Sequence, residues 1–318
     1  MKEIKLNDLQ ASVQDKSAFS KLEDYLNITR AFLGFIAKTR PTRIISPSHH
    51  NYIFYQYGKS YGNKITRPLN ADLFLESRMA FPKAFERFIC FLSDLRRHQD
   101  KAVNQRRREN YLASKEINRV VYTVQQSIGS IGDSFDNPNQ SRKRVGQLFE
   151  SLVKLIIQEI GLECEPRTIN LPIPGYPGYK MSYDLDLVFS RNQAIIAKET
   201  QFIHPSEVVG SVKTTSKDRI DKIFLDKFLL TKLLGRNIPV IAIFLHDVQR
   251  AQRGNSIFGI NSTFQSNHFL GYTVALNKLD GVYYVDPRPE MFTNKRLREQ
   301  IHDFQQFLVK DLWTLSGG

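Results

Sequence analysis

Asp186, Lys213 and Asp226 are the residues of this chain whose types and spacing could do chemistry together. Asp186 stands in Tyr183-Asp-Leu-Asp-Leu-Val-Phe189, an alternating stretch that reads as a strand. Lys213 closes a second strand, Glu207 to Lys213, 27 positions on, far enough for a hairpin-like return between them. Asp226 lies 13 positions after Lys213, inside a helix expected over Ile220 to Leu234. Carboxylate oxygens suit a hard cation such as Mg²⁺. A lysine beside them can orient water and offset the charge that develops when a phosphodiester is hydrolysed. Asp184 shares a strand face with Asp186, because side chains repeat every two residues. Either could hold the metal. Asp186 is preferred, since three apolar residues follow it directly. Each of these residues alone is more simply a turn or surface group, and only their joint placement points to a metal-dependent nuclease.

The strand that carries Lys213 runs into Ser211-Val-Lys-Thr-Thr-Ser-Lys-Asp-Arg219 and then into the helix. Such junctions place charged tips at one rim of a sheet, where binding and chemistry concentrate. Lys217, Asp218 and Arg219 form a basic–acidic–basic cluster there. Lys and Arg can donate to guanine O6 and N7, and Asp can accept from cytosine N4.

The elements that must position these groups follow from periodicity. Arg144 to Gly161 is an amphipathic helix stopped by glycine. Glu150 sits among its apolar residues and could orient a water or a ligand at the site. Strands are expected at Tyr183–Phe189, Ala194–Ala197, Glu207–Lys213 and Pro239–Leu245, with an edge pair of Gly271–Leu276 and Val282–Val285 around Leu279-Asp-Gly281. A last helix is expected over Lys295 to Leu315. Helix, strands, helix and strand in this order make an α/β layer on a mixed sheet. Upstream, residues 1–40, 71–79, 81–97 and 114–127 read as helical. Residues 41–70 read as a loop in which Tyr52, Tyr55, Tyr57 and Tyr61 alternate with Lys59, Lys64 and Arg67, a mixture suited to phosphate contact and base stacking, or to an ordinary surface loop. Residues 171–179 form a Pro/Gly/Tyr loop. The Gly/Ser/Asn-rich stretch 128–141 is the linker candidate. It divides a mainly helical region, residues 1–140, from a catalytic domain, residues 141–318.

The chain has 318 residues, 41% of them hydrophobic, and a net charge of +13. That excess points to an anionic partner, with nucleic acid the first candidate. The two cysteines, Cys90 and Cys164, are far apart in apolar surroundings and read as buried free thiols of a reducing compartment. No apolar run reaches ~18 residues, and no apolar segment follows the N-terminal Met-Lys-Glu-Ile-Lys, so a cytoplasmic protein is expected.

Lys213-Thr-Thr-Ser-Lys-Asp-Arg219, with Asp226 beyond it, resembles the active-site segment of type II restriction endonucleases of the PD-(D/E)XK superfamily. It is most similar to the branch that includes EcoRII, in which the acid two positions before the lysine is replaced and the following helix supplies a carboxylate. Ser211 occupies the replaced position. The resemblance implies a restriction-endonuclease-like mixed sheet flanked by helices. It implies Mg²⁺-dependent cleavage of double-stranded DNA at a short, palindromic site containing C:G pairs. Asp186, Lys213, Asp226 and Glu150 would be catalytic, Asp186 and Asp226 metal-binding, and Lys217, Asp218 and Arg219 base-reading. A homodimer and a separately encoded DNA methyltransferase are implied as partners. Two features depart from the pattern: no proline precedes Asp186, and Asp226 stands where glutamate is usual. The resemblance covers about residues 144–245. A structure-specific or repair nuclease of the same fold, or an inactive DNA-binding protein, are the alternatives.

Overall fold

The computed structural model describes residues 5–98, 105–191, 202–217 and 219–317, with the backbone alone at 105–108. In chain order the elements are α1 (Leu6–Gln14), α2 (Leu22–Thr39), β1 (Thr42–Ile45), β2 (Tyr52–Gln56), β3 (Leu69–Asn70), α3 (Ala80–His98), α4 (Gln105–Ser114), α5 (Glu116–Gly132), α6 (Pro138–Glu159), β4 (Glu163–Pro172), β5 (Lys180–Ser190), β6 (Val208–Thr215), α7 (Ile220–Leu234), β7 (Val240–His246), β8 (Val248–Arg253), β9 (Ser256–Ser262), α8 (Ser266–Ala275), β10 (Gly281–Tyr284), α9 (Pro289–Thr293), α10 (Lys295–Arg298) and β11 (Ile301–Asp303), followed by short helical turns from Phe304 to Leu315. Two compact units interleave along the sequence. One takes Met1–Phe91, Lys115–Leu152 and Asp247–Thr263, and the other takes Leu92–Ser114, Val153–His246 and Phe264–Gly318. None of the described helices is long and apolar enough to cross a membrane.

The first unit packs α1 and α2 on α5. Almost every residue of α5 is buried. Two of its buried amides donate inside: Gln125 Nε2 to Val145 O at 2.9 Å, and Gln126 Nε2 to the Tyr122 hydroxyl at 3.0 Å. The stretch 128–141 is therefore no linker. Gly129 and Gly132 are the last turn of α5, and Asn137 Oδ1 caps α6 by accepting from Asn139 N and Gln140 N. Residues 41–70 are a three-stranded antiparallel sheet, β1-β2-β3, rather than a loop. Tyr52, Tyr55 and Tyr57 are buried in it. The Tyr57 hydroxyl donates to Ser130 O at 2.8 Å and the Tyr55 hydroxyl to Glu76, so these rings do not stack on bases. Tyr52 and Phe54 pack against Val248 and Ile260 of the antiparallel β8–β9 ribbon. Residues 71–79 are turns, not helix, up to the start of α3. Leu75 N there donates to Thr123 Oγ1 of α5 at 2.9 Å.

The second unit holds a six-stranded sheet in the order β11-β10-β7-β6-β5-β4. β6, β7, β10 and β11 run parallel, and β5 is antiparallel to both its neighbours. β7 is buried along its whole length, as its Val-Ile-Ala-Ile-Phe-Leu run demands of a strand covered on both faces. Ile223, Phe224 and Leu230 of α7 and Phe269 of α8 pack with Val209, Val240, Ala242 and Phe244 into one core. The strands expected at Tyr183–Phe189, Glu207–Lys213 and Pro239–Leu245, and the helix over Ile220–Leu234, are all present. The expected edge pair is not. Residues 271–275 belong to α8, and β10 pairs in parallel with β7 and β11. The final helix is also interrupted. Asn294 Oδ1 caps α10, Ile301–Asp303 joins the sheet, and Asp303 Oδ1 caps a new turn by accepting from Gln306 N at 2.9 Å. The strand expected at Ala194–Ala197 lies outside the described residues. Cys164 is buried, which pushes its thiol up, but Cys90 is exposed on α3; both are free.

Candidate active site

The site is built where β5 and β6 part. Along β4 and β5, Arg167 pairs with Leu185 and Glu165 with Val188, so β5 carries one extra residue across Asp186-Leu187. This is a β-bulge, a device that bends a strand and re-aims a side chain. The β5–β6 ladder covers only Leu187–Phe189 against Val208–Gly210. β6 continues along β7 to Thr215. Asp186 thus falls at the fork, and its carboxylate takes over the bonding that the ladder has given up. Asp186 Oδ2 accepts from Val212 N at 2.9 Å, from Ser211 Oγ at 3.1 Å and from Lys213 Nζ. The Asp186–Lys213 ion pair is partly buried.

A cavity of about 180 Å³ opens at this fork, lined by Asp184, Asp186, Ser211 and Lys213 from the sheet and by Arg219, Lys222 and Asp226 from the start and first half of α7. Arg219, Lys222, Asp226 and Leu230 follow helical spacing, so one stripe of α7 faces the sheet rim. Asp226 is half-buried and accepts from Lys222 Nζ at 2.7 Å. It also lies near the Tyr183 phenol. Burial, and next the Asp226 charge, push that phenol up. Asp184 Oδ1 accepts from Thr168 Oγ1 at 2.7 Å.

Asp186, Lys213 and Asp226 therefore share one pocket, as their spacing predicts. Arg219 joins the same pocket instead of standing apart from it. Lys217 is exposed in the turn before α7, and Asp218 lies outside the described residues. Glu150 is half-buried on α6 in the first compact unit and is not among the residues that line the cavity. Sequence reasoning missed two contributors. Lys222 neutralises Asp226, and the i, i+4 spacing of the two was the available signal. Ser211 is itself a donor to Asp186.

Among the described residues no group of three or more His, Cys, Asp or Glu side chains could by itself hold a metal ion. The pocket instead offers single carboxylates, with a lysine on Asp186 and on Asp226 and a threonine hydroxyl on Asp184. That donor set fits Mg²⁺, which keeps several waters and takes one or two protein carboxylates together with phosphate oxygens. Asp186 could serve as one such ligand, with Asp226 or Asp184 as the second. The two candidates are separable. Asp226→Asn should reduce turnover at saturating substrate by at least about 10²-fold and raise the Mg²⁺ concentration needed for half-maximal rate, since losing even a partner outside the ligand shell costs about 10–100-fold. Asp184→Asn, which keeps an oxygen to accept from Thr168 Oγ1, should change either value by less than about 3-fold, within the scale of one neutral contact. A Mg²⁺ titration of both variants checks this, and the reverse ranking would assign the ligand to Asp184.

The fold matches a known one over its whole length. The structure is similar to the crystal structure of the type IIP restriction endonuclease Kpn2I, with a TM-score of 0.67 and 17% sequence identity, over 98% of this chain and 97% of that chain. It is also similar to the restriction endonuclease PspGI in its complex with substrate DNA, with a TM-score of 0.41 and 12% identity, over 69% of this chain and 95% of that one. The second likeness is too low to bear on the fold. The first establishes the restriction-endonuclease-like mixed sheet flanked by helices. No protein-family model matches the sequence, and no curated protein matches it.

Proposed function

We propose that the chain is a sequence-specific type II restriction endonuclease that hydrolyses double-stranded DNA with Mg²⁺. The observation that carries this reading is the strand fork, where Asp186 and Lys213 pair in a cavity that also receives Asp226 and Arg219 from α7. Mg²⁺, held by Asp186 with Asp226 or Asp184, would supply Lewis-acid stabilisation of the scissile phosphate. The chain's own groups do the rest. Ser211 Oγ and Val212 N fix the Asp186 carboxylate through two hydrogen bonds. The Lys213 ammonium gives a fixed positive charge beside the phosphate as negative charge builds on it. The replacement of the acid at Ser211 by Asp226, as in the EcoRII-containing branch, is supported by the position of Asp226 in the cavity.

Digestion of plasmid DNA in Mg²⁺ tests the proposal. Discrete fragments with uniform ends are expected. Intact plasmid across many substrates would remove the reading, and scattered ends would favour a structure-specific or repair nuclease. The Lys217-Asp218-Arg219 segment is proposed to read a C:G pair in the major groove, with Arg219 donating to guanine. Arg219→Ala should cost about 1–3 kcal/mol of discrimination at that position, measured as relative cleavage rates on sites altered at each base pair. Unchanged specificity would contradict the assignment. A palindromic site calls for two-fold symmetric protein, so sedimentation should show a homodimer on the DNA. A separately encoded methyltransferase protecting the same site, and a cytoplasmic location, belong to the same proposal.

A further inference from the structure

Beyond the last β5–β6 pair at Leu187, β5 stays paired with β4 as far as Lys180 opposite Pro172. The two strands form an arm that starts at Asp186 and ends in the loop Ile173 to Tyr179. Its inner residues, Ile169, Leu171, Tyr183 and Leu185, belong to the core, and Lys180, Ser182 and Asp184 are exposed on the other face. The loop reads Pro-Gly-Tyr-Pro-Gly-Tyr and folds as two successive tight turns. Tyr176 N donates to Ile173 O, Tyr179 N to Tyr176 O, and Ile173 N to Tyr179 O, each at 3.1 Å. Gly175 and Gly178 have φ of +82° and +84°. Proline second and a positive-φ glycine third are the requirements of type II turns. A Cβ at either glycine would meet nothing within 4 Å, so glycine serves the backbone here and not a close neighbour.

These turns hold Tyr176 and Tyr179 in the open. The two side chains are 65% and 69% exposed, and Lys180 beside them is exposed as well. Among the described residues no other ring packs on them. Folding gains little from two aromatic rings left in water on a backbone already locked in place. A partner gains more, because no loop ordering remains to be done on contact. Tyr179 and Asp186 are seven positions apart along the strand, a reach of about 23 Å at ~3.3 Å per residue. Along a duplex that is roughly 7 base pairs at ~3.4 Å each.

We infer that the Tyr176/Tyr179 tip is a second contact on the same DNA, gripping the duplex that flanks the cleaved phosphate outside a short recognition site. The inference rests on the nuclease reading. Duplex DNA is the occupant because the tip lies on the strand that delivers Asp186, carries a lysine, and belongs to a chain of net charge +13. The ring faces would lie on sugars and base edges of the minor groove, and Lys180 on a phosphate.

The test uses the full chain and duplexes centred on a cleavage site mapped from plasmid digestion, with flanks lengthened stepwise from about 2 to about 14 base pairs, a range that brackets the estimated reach. For the wild type, KM should fall about 10-fold as each flank passes roughly 7 base pairs, the scale of one aromatic contact, with kcat unchanged. Tyr176→Ala/Tyr179→Ala should match the wild type on the shortest duplexes and gain nothing from longer ones, at an unchanged thermal midpoint. Tyr176→Phe/Tyr179→Phe should keep the gain. An equal gain in the alanine double variant, or no gain in the wild type, overturns the inference while leaving the nuclease reading intact. Loss of the gain in the phenylalanine variant overturns the ring contact. A wild-type chain that neither binds nor cuts any duplex removes the nuclease reading, and this inference with it.

Discussion

Lys213→Ala is expected to abolish duplex cleavage, with a loss of at least about 10²–10³-fold in kcat, the scale of removing one preorganised charge-stabilising donor, while DNA affinity stays within about 3-fold of wild type, since Lys213 is one cation among many at the DNA. The argument runs through Asp186. In the free protein the Lys213 ammonium sits on Asp186 Oδ2, beside the bonds from Ser211 and Val212. Removing it leaves the carboxylate with those two donors, so the backbone geometry of the fork has reason to persist. What disappears is a fixed positive charge in a confined cavity, and nothing else lining the cavity replaces it in kind. Lys222 is engaged with Asp226, and Arg219 is the first residue before α7. Lys213→Arg should not restore the rate, because a planar guanidinium presents its donors in a different geometry from a compact ammonium. Initial rates on a plasmid, with gel-shift affinity measured in parallel, decide the matter. A variant with no affinity, or one with wild-type turnover, would each remove Lys213 from the role given to it.

The order of the sheet-forming segments around Lys213 was legible in the sequence because each is governed by a local rule. The alternation of Tyr183–Phe189 and the apolar run Pro239–Leu245 are properties of a few neighbouring residues. The place of Asp226 on the cavity-facing stripe of α7 was legible for the same reason, since a fixed offset along a helix sets which face a residue joins. What was not legible depends on partners distant in sequence. Gly129 and Gly132 look like linker residues, yet a Cβ at Gly129 would run into the Arg67 guanidinium, and one at Gly132 would fall 2.7 Å from Ser141 Oγ. They mark close packing of a buried helix. Tyr52, Tyr55 and Tyr57 look like a stacking loop because the residues that bury them come from elements far along the chain, among them Ile260 and Ser130. Ile301–Asp303 reads as part of a helix until β10 is there to pair with it. The bulge at Asp186 belongs to the same class. One strand's extra residue exists only relative to its partner, so the bulge needed the register and not the pattern.

The largest effect on stability is expected away from the cavity, at Glu207. This residue directly precedes β6, and its carboxylate is held in a two-pronged pair with Arg167 of β4, through Oε2 to Nη1 at 2.9 Å and through Oε1 to Nη2. Oε2 also accepts from His204 N at 2.7 Å. The two side chains are 3% and 4% exposed. Desolvating such a pair costs about as much as its attraction returns, so its presence is weak evidence of net stabilisation. Breaking it from one side is another matter. Glu207→Gln keeps the shape but leaves the Arg167 guanidinium charged and buried, and should cost about 3–5 kcal/mol, a fall in thermal midpoint on the order of 10 °C for a unit of this size. The double variant Arg167→Leu/Glu207→Leu should recover most of that loss, because no lone charge remains inside. A calorimetric scan of the single and double variants separates the two cases. Were Glu207→Gln to unfold like wild type, Arg167 would have found another anion and the pair would not hold β6. If the expected loss appears, cleavage by Glu207→Gln should decline at temperatures below its unfolding transition, since the strand that Glu207 anchors is the one that presents Ser211 and Lys213 at the fork.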